Sequence, residues 1–109
     1  MKKILPLIVV GVLGSALAAF AADGAATWGD NCAKCHGAEG KGDTNIGRKL
    51  KISDLTDAAV QAQFTDEQAF SAVKEGFKDK DGKVRMKAIE GLSDDDIKAA
   101  VEYVTSKSQ

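Results

Sequence analysis

The sequence predicts an all-α domain of about four short helices, and three observations carry that prediction. Two segments in the second half open on a side-chain cap and continue with apolar residues at helical spacing. A stretch around Trp28 sets its large residues four apart. No run of useful length alternates apolar and polar residues as a half-buried strand requires.

The first helix is expected from Asp23 or Gly24 through "AATWGDNCAKCH", with Trp28 and Cys32 on one face. The next stretch, "GAEGKGDTNIG", carries four glycines and no periodicity, and reads as a loop that packs by its backbone. A short helix is expected within "SDLTDAAVQAQ", with Ser53 or Thr56 as its cap. The third, "FTDEQAFSAVKEG", is better marked. Thr65 and Gln68 form a capping box, Gly76 supplies the stop, and Phe70, Val73 and Phe77 make the apolar face. The last, "LSDDDIKAAVEYVTS", has Ser93 as N-cap, Asp96 at the third helical position and Leu92 placed to staple against Ile97. Its three leading aspartates suit the positive end of the helix dipole, and Ile97, Ala100, Val101 and Val104 form the stripe to be buried.

The chain has 109 residues and a formal net charge of −1. It opens on Lys2 and Lys3, followed by an uncharged apolar run from Ile4 to Phe20 and the small-residue pattern Ala19-Phe20-Ala21. That is the pattern of a secretory signal peptide over residues 1–21, with cleavage expected after Ala21 and the domain proper at 22–109. An uncleaved anchor is the alternative, since about 17 apolar residues is the lower limit for a span. No cysteine at the junction offers a lipid acceptor. Losing Lys2 and Lys3 makes the remainder more acidic, which argues against nucleic acid as a partner. The expected mature protein is a soluble monomer in the periplasm or otherwise exported, without stable membrane insertion.

Both cysteines and the only histidine fall in "CAKCH", as Cys32, Cys35 and His36. A Cys32–Cys35 disulfide would close a very short loop and restrict the unfolded chain little. Structural zinc needs a fourth ligand, and adjacent Cys and His ligands give awkward tetrahedral geometry. A thioredoxin-like dithiol needs a preceding strand and a surrounding sheet. Covalent haem leaves none of the three idle: the two thiols add to the vinyl groups of one haem c, and the imidazole projects to the iron from the same side. Export agrees with it, because such attachment is made outside the cytoplasm. With His36 used as proximal ligand, Met86 is the one thioether left after the signal is removed. A lone Met is ordinarily core filler. Its setting here, "KDKDGKVRMKAIEG", is polar loop, and Met86 is therefore assigned as the distal axial ligand.

At this point the chain resembles the small monohaem class I c-type cytochromes over essentially its whole mature length. The match is carried by Gly24, Trp28, Cys32, Cys35 and His36 near the start, and by Leu92, Ser93, Asp94, Ile97, Ala100, Tyr103 and Val104 in the closing helix. The resemblance implies the class I cytochrome c fold wrapped around one covalently bound haem. It also implies a right-angled crossing of first and last helices, with Gly24 and Ala100 at the contact and Trp28 and Tyr103 beside it. Two departures stand out. Lys87, not Pro, follows Met86, which implies a more mobile loop and a more labile iron–sulfur bond. The mature chain has no proline to orient His36, so a carbonyl between Ile46 and Ile52 is expected to do so.

The function expected is one-electron carriage between respiratory-chain components rather than catalysis, with a redox protein donor and acceptor as partners. The haem crevice or its supporting core is expected among Trp28, Ile46, Leu50, Leu55, Phe64, Phe70, Val73, Phe77, Ile89, Val101 and Val104. Arg48 is a candidate for a haem propionate, although a solvated surface role suits it better. Lys74, Lys78, Lys80, Lys83, Arg85 and Lys87 gather near Met86 and would steer toward acidic docking patches, partly offset by Asp79 and Asp81. The alternatives are a peroxidase or gas-binding sensor whose Met86 dissociates, and a haem subunit of a membrane redox complex.

Overall fold

The computed structural model describes residues 23–107; the expected signal and its cleavage point lie outside them. Helix α1, Gly24–Asn31, is capped by the Asp23 carboxylate, which accepts from the Ala26 amide at 3.1 Å. Cys32 interrupts it at φ −119°, and α2, Ala33–His36, follows at once, so the single expected helix is divided at the first cysteine.

The expected loop is shorter than its composition suggests. Thr44 accepts from the Gly47 amide and starts α3, Asn45–Leu50, inside the end of the glycine segment. The short helix also begins later than Ser53 or Thr56. It is α4, Ala58–Gln61, capped by Asp57, while the Asp54 carboxylate binds the amide and hydroxyl of Thr56 ahead of it. Both later helices keep their expected capping boxes: Thr65 with Gln68 on α5, Asp66–Glu75, and Ser93 with Asp96 on α6, Asp94–Thr105.

Between them lies a short antiparallel hairpin that the sequence does not signal. Strand β1, Phe77–Lys78, pairs with β2, Val84–Met86. Phe77 therefore does not lie on the apolar face of α5 and is half exposed. The strands are too short for alternation to show, and both are largely solvent-facing.

The core lies at the seam of α1 and α6. Ile97, Ala100, Val101 and Val104 are buried as expected, with Ile97 1% exposed. Gly24 makes the closest approach, for a side chain there would collide with the Ala99 carbonyl. The contact is thus Ala99 backbone, one residue before the expected Ala100. Trp28, Cys32 and Val104 form a buried cluster flanked by Ala33, Leu55 and Tyr103, and the Trp28 and Tyr103 rings lie 6.1 Å apart. The seam fixes α1, and α1 fixes the cysteine turn that continues it.

Candidate haem-binding site

Cys32, Cys35 and His36 come together on and beside α2, a helix of only four residues. A helix that short leaves its last carbonyls without internal partners, and here the carbonyls of Cys35, His36 and the C-cap Gly37 are each bonded from outside the helix. The Cys35 carbonyl accepts from the Thr44 hydroxyl at 2.7 Å, the His36 carbonyl from the Gly42 amide at 2.7 Å, and the Gly37 carbonyl from the Trp28 indole N–H at 2.8 Å. Thr44 also caps α3, so one hydroxyl joins the cysteine turn to the next helix. Gly47 completes the junction, since a side chain there would strike the carbonyls of Gly42 and Cys35. Thr44 and Gly47 escape a reading of the sequence. The one available signal is a Thr three residues ahead of a Gly, too common to stand out.

Burial keeps the site's titratable groups in their neutral forms. Burial lowers the His36 pKa below its usual value, keeping the imidazole in the form that can donate a lone pair. Cys32 is buried, and desolvation, with Cys35 adding to it, pushes its thiol up to about 11. The His36 ring packs against Trp28 with centroids 5.6 Å apart at 45°. Its Nδ1 is buried and has no hydrogen-bond partner among the described residues. The expected carbonyl from the segment Ile46 to Ile52 is not bonded to it; the Gly47 carbonyl instead accepts from the Ile52 amide at 2.8 Å as α3 ends. Ring packing and tied backbone, not a carbonyl, orient the imidazole.

Met86 stands apart from this unit. It is half-buried at the end of β2, in an open groove of about 470 Å³ whose lining includes Gly76, Phe77, Val84, Lys87 and Ala88 but none of Cys32, Cys35 and His36. The thiol–imidazole unit on α2 and the Met86 thioether on the hairpin therefore lie in separate surroundings. Lys87 is exposed, and the chain beside it is held on both sides. Met86 pairs with Phe77, and the Ile89 amide donates to the Val73 carbonyl at 2.8 Å. Strand pairing supplies restraint that a proline would otherwise give. Of the other expected residues, Trp28, Val101 and Val104 are buried core, Leu50 is half exposed like Phe77, and the Arg48 guanidinium donates to Asn45 on its own helix at 2.7 Å. All six basic residues near Met86 are exposed, and Lys74 is paired with Asp94 at 2.8 Å.

The donor set fits a covalently held haem: two thiols and a neutral, half-buried imidazole on one backbone-tied turn, with no acidic residue completing a metal-ligand cluster among the described residues. Comparison with known proteins agrees. The family model described as cytochrome c oxidase, cbb3-type, subunit III matches residues 19–104. The solved structure titled KustC0563 c-type cytochrome is similar with a TM-score of 0.66 and 27% identity, over 80% of this chain and 99% of that one. A solved structure of a point mutant of Kustc0563 gives 0.64 and 28%, over 79% and 99%. No curated protein matches significantly. A family match over most of the chain, on a mostly helical fold shared with c-type cytochromes, places it: the chain belongs to the cbb3-type cytochrome c oxidase subunit III family and is a small class I c-type cytochrome, an electron-transfer protein with covalently bound haem c.

Proposed function

We propose that this cytochrome is a soluble, exported one-electron carrier, in which Cys32 and Cys35 hold the haem and His36 and Met86 are its axial ligands. The observation that carries the reading is the cysteine turn. Three successive carbonyls are bonded by α1 and by the loop that follows the turn, so the backbone carrying two thiols and one imidazole is tied on both sides. The bound haem supplies one-electron cycling of its iron. The chain's own residues would do the rest: Trp28 packs against the His36 ring, strand pairing restrains Met86, and its thioether would supply the second ligand. A thioether ligand favours ferrous iron and raises the potential, and a closed pair of axial ligands leaves no place for a substrate.

Attachment is tested by mass spectrometry of the protein exported with haem-maturation machinery. The expected product begins after residue 21 and carries one haem through two thioethers, and Cys32→Ser or Cys35→Ser leaves one. Colourless protein despite working maturation overturns the reading.

The partners are a redox donor and acceptor met through the exposed basic residues of the hairpin, Lys78, Lys80, Lys83, Arg85 and Lys87, which favour an acidic docking face. Electron-transfer rates to such a partner are expected to fall as salt rises, and a flat ionic-strength profile rules this docking out. The family description favours a second reading, a haem subunit held in a membrane complex. No helix among the described residues is long and apolar enough to cross a membrane. Fractionation separates the two: a carrier is released with the soluble exported proteins, a complexed subunit stays with the membrane.

A further inference from the structure

We infer that Asp79 is a positioning residue for Met86, setting the register that decides which side chain the hairpin offers to the iron. The inference rests on the reading of Met86 as axial ligand. Asp79 is half-buried, and its carboxylate oxygen accepts from the amides of Asp81 and Lys83, both at 2.9 Å. Its own amide donates to the Lys83 carbonyl and its carbonyl accepts from the Gly82 amide, each at 2.9 Å. These hydrogen bonds, all made by one residue, close the turn over residues 79–83. Gly82, at φ +81° and in open space, supplies the left-handed step the turn needs.

What the turn controls follows from the pairing. Phe77 lies opposite Met86 and Lys78 opposite Val84, so Arg85 is an extra residue in β2 with no partner across from it, a bulge. Neighbouring side chains on a strand point to opposite faces, and a one-residue slip exchanges the faces. Here the residues on either side of Met86 are Arg85 and Lys87, so a slip in either direction puts a cation where the thioether stands. Two and three residues of strand are too few to hold register by themselves. The Asp79 turn at one end and the Ile89–Val73 bond at the other fix it.

The test uses the holoprotein, with imidazole as competing ligand for ferric iron. Asp79→Ala is expected to retain covalent haem, weaken the methionine-to-iron charge-transfer band and raise imidazole affinity about tenfold, the change for losing one hydrogen bond's worth of turn restraint. Amide exchange at Lys83 should speed up in the same variant. Asp79→Asn keeps the accepting oxygen and loses the charge, and is expected to behave as wild type. Asp79→Ser, a shorter acceptor, should fall between and serves where the Ala variant does not fold. Wild-type imidazole affinity in Asp79→Ala, or equal increases in Asp79→Ala and Asp79→Asn, overturns the positioning role. Met86→Ala is the control. If it leaves both band and imidazole affinity unchanged, the axial-ligand reading itself has failed.

Discussion

Single residues hold the cysteine turn together, and Trp28 makes three of its contacts. Its indole N–H binds the Gly37 carbonyl, its ring packs on His36, and it anchors the buried cluster with Cys32 and Val104. Trp28→Phe keeps an aromatic ring but leaves that carbonyl without the indole donor. The Gly40 amide still reaches that carbonyl at 3.1 Å, so the change should cost about 1 kcal/mol in denaturant unfolding, with the haem still attached. Asp54 gives a pH signature. Hydrogen bonds from the Thr56 side chain and amide, with Lys41 nearby, hold its pKa below the usual 3.8. A depressed carboxylate contributes stability that is present above its unfolded pKa and is lost as pH falls through the folded one. Asp54→Asn keeps an acceptor for Thr56 but cannot titrate, so unfolding measured below about pH 4 should show a shallower acid slope than wild type. Cys32, Cys35, His36 and Met86 stand out as candidates because the residue types are rare in this chain and their chemistry is narrow. Thr44 is not, because a hydroxyl that bonds a carbonyl nine residues away has no local mark.

Among the elements, α5 and α6 carry their own start signals, and their capping boxes form at the residues the sequence indicates. Thr65→Ala and Ser93→Ala each remove the oxygen that accepts from the third helical amide, and each should lower stability by about 1 kcal/mol with unchanged spectra. A loss several times larger at either site would show that the cap also supports distant packing. Elements whose cause lies elsewhere are harder to read. Helix α3 begins inside a glycine-rich stretch because Thr44 and Gly47 dock on α2, a tertiary cause. Helix α4 starts at Asp57 because Asp54 and Thr56 are already committed to each other. The hairpin rests on a turn held by Asp79 rather than on alternating side chains, so periodicity could not reveal it.

At the scale of the molecule, the seam of α1 and α6 sets the frame on which the cysteine turn sits. Because a side chain at Gly24 meets the Ala99 carbonyl, backbone rather than a flexible side chain, Gly24→Ala must push the helices apart. It should cost about 1–3 kcal/mol in thermal or denaturant unfolding, and Ala99→Gly should not rescue it, since the obstruction is main chain. An unchanged melting profile would mean that the seam gives way at little cost. The all-α class and this seam are legible from the stripe on α6 and from Gly24 and Trp28 on α1. The separate placement of the α2 turn and the hairpin's Met86 is not, because it depends on how two distant segments are placed. That separation makes closure of the iron by Met86 the central claim. The most direct measurement is the absorption spectrum of the holoprotein, ferric and then ferrous with carbon monoxide, for wild type and Met86→Ala. The account predicts a methionine-to-iron charge-transfer band in ferric wild type that the variant lacks, and carbon monoxide binding by the variant alone. Ready binding of carbon monoxide by wild type, or a band that survives Met86→Ala, would contradict it.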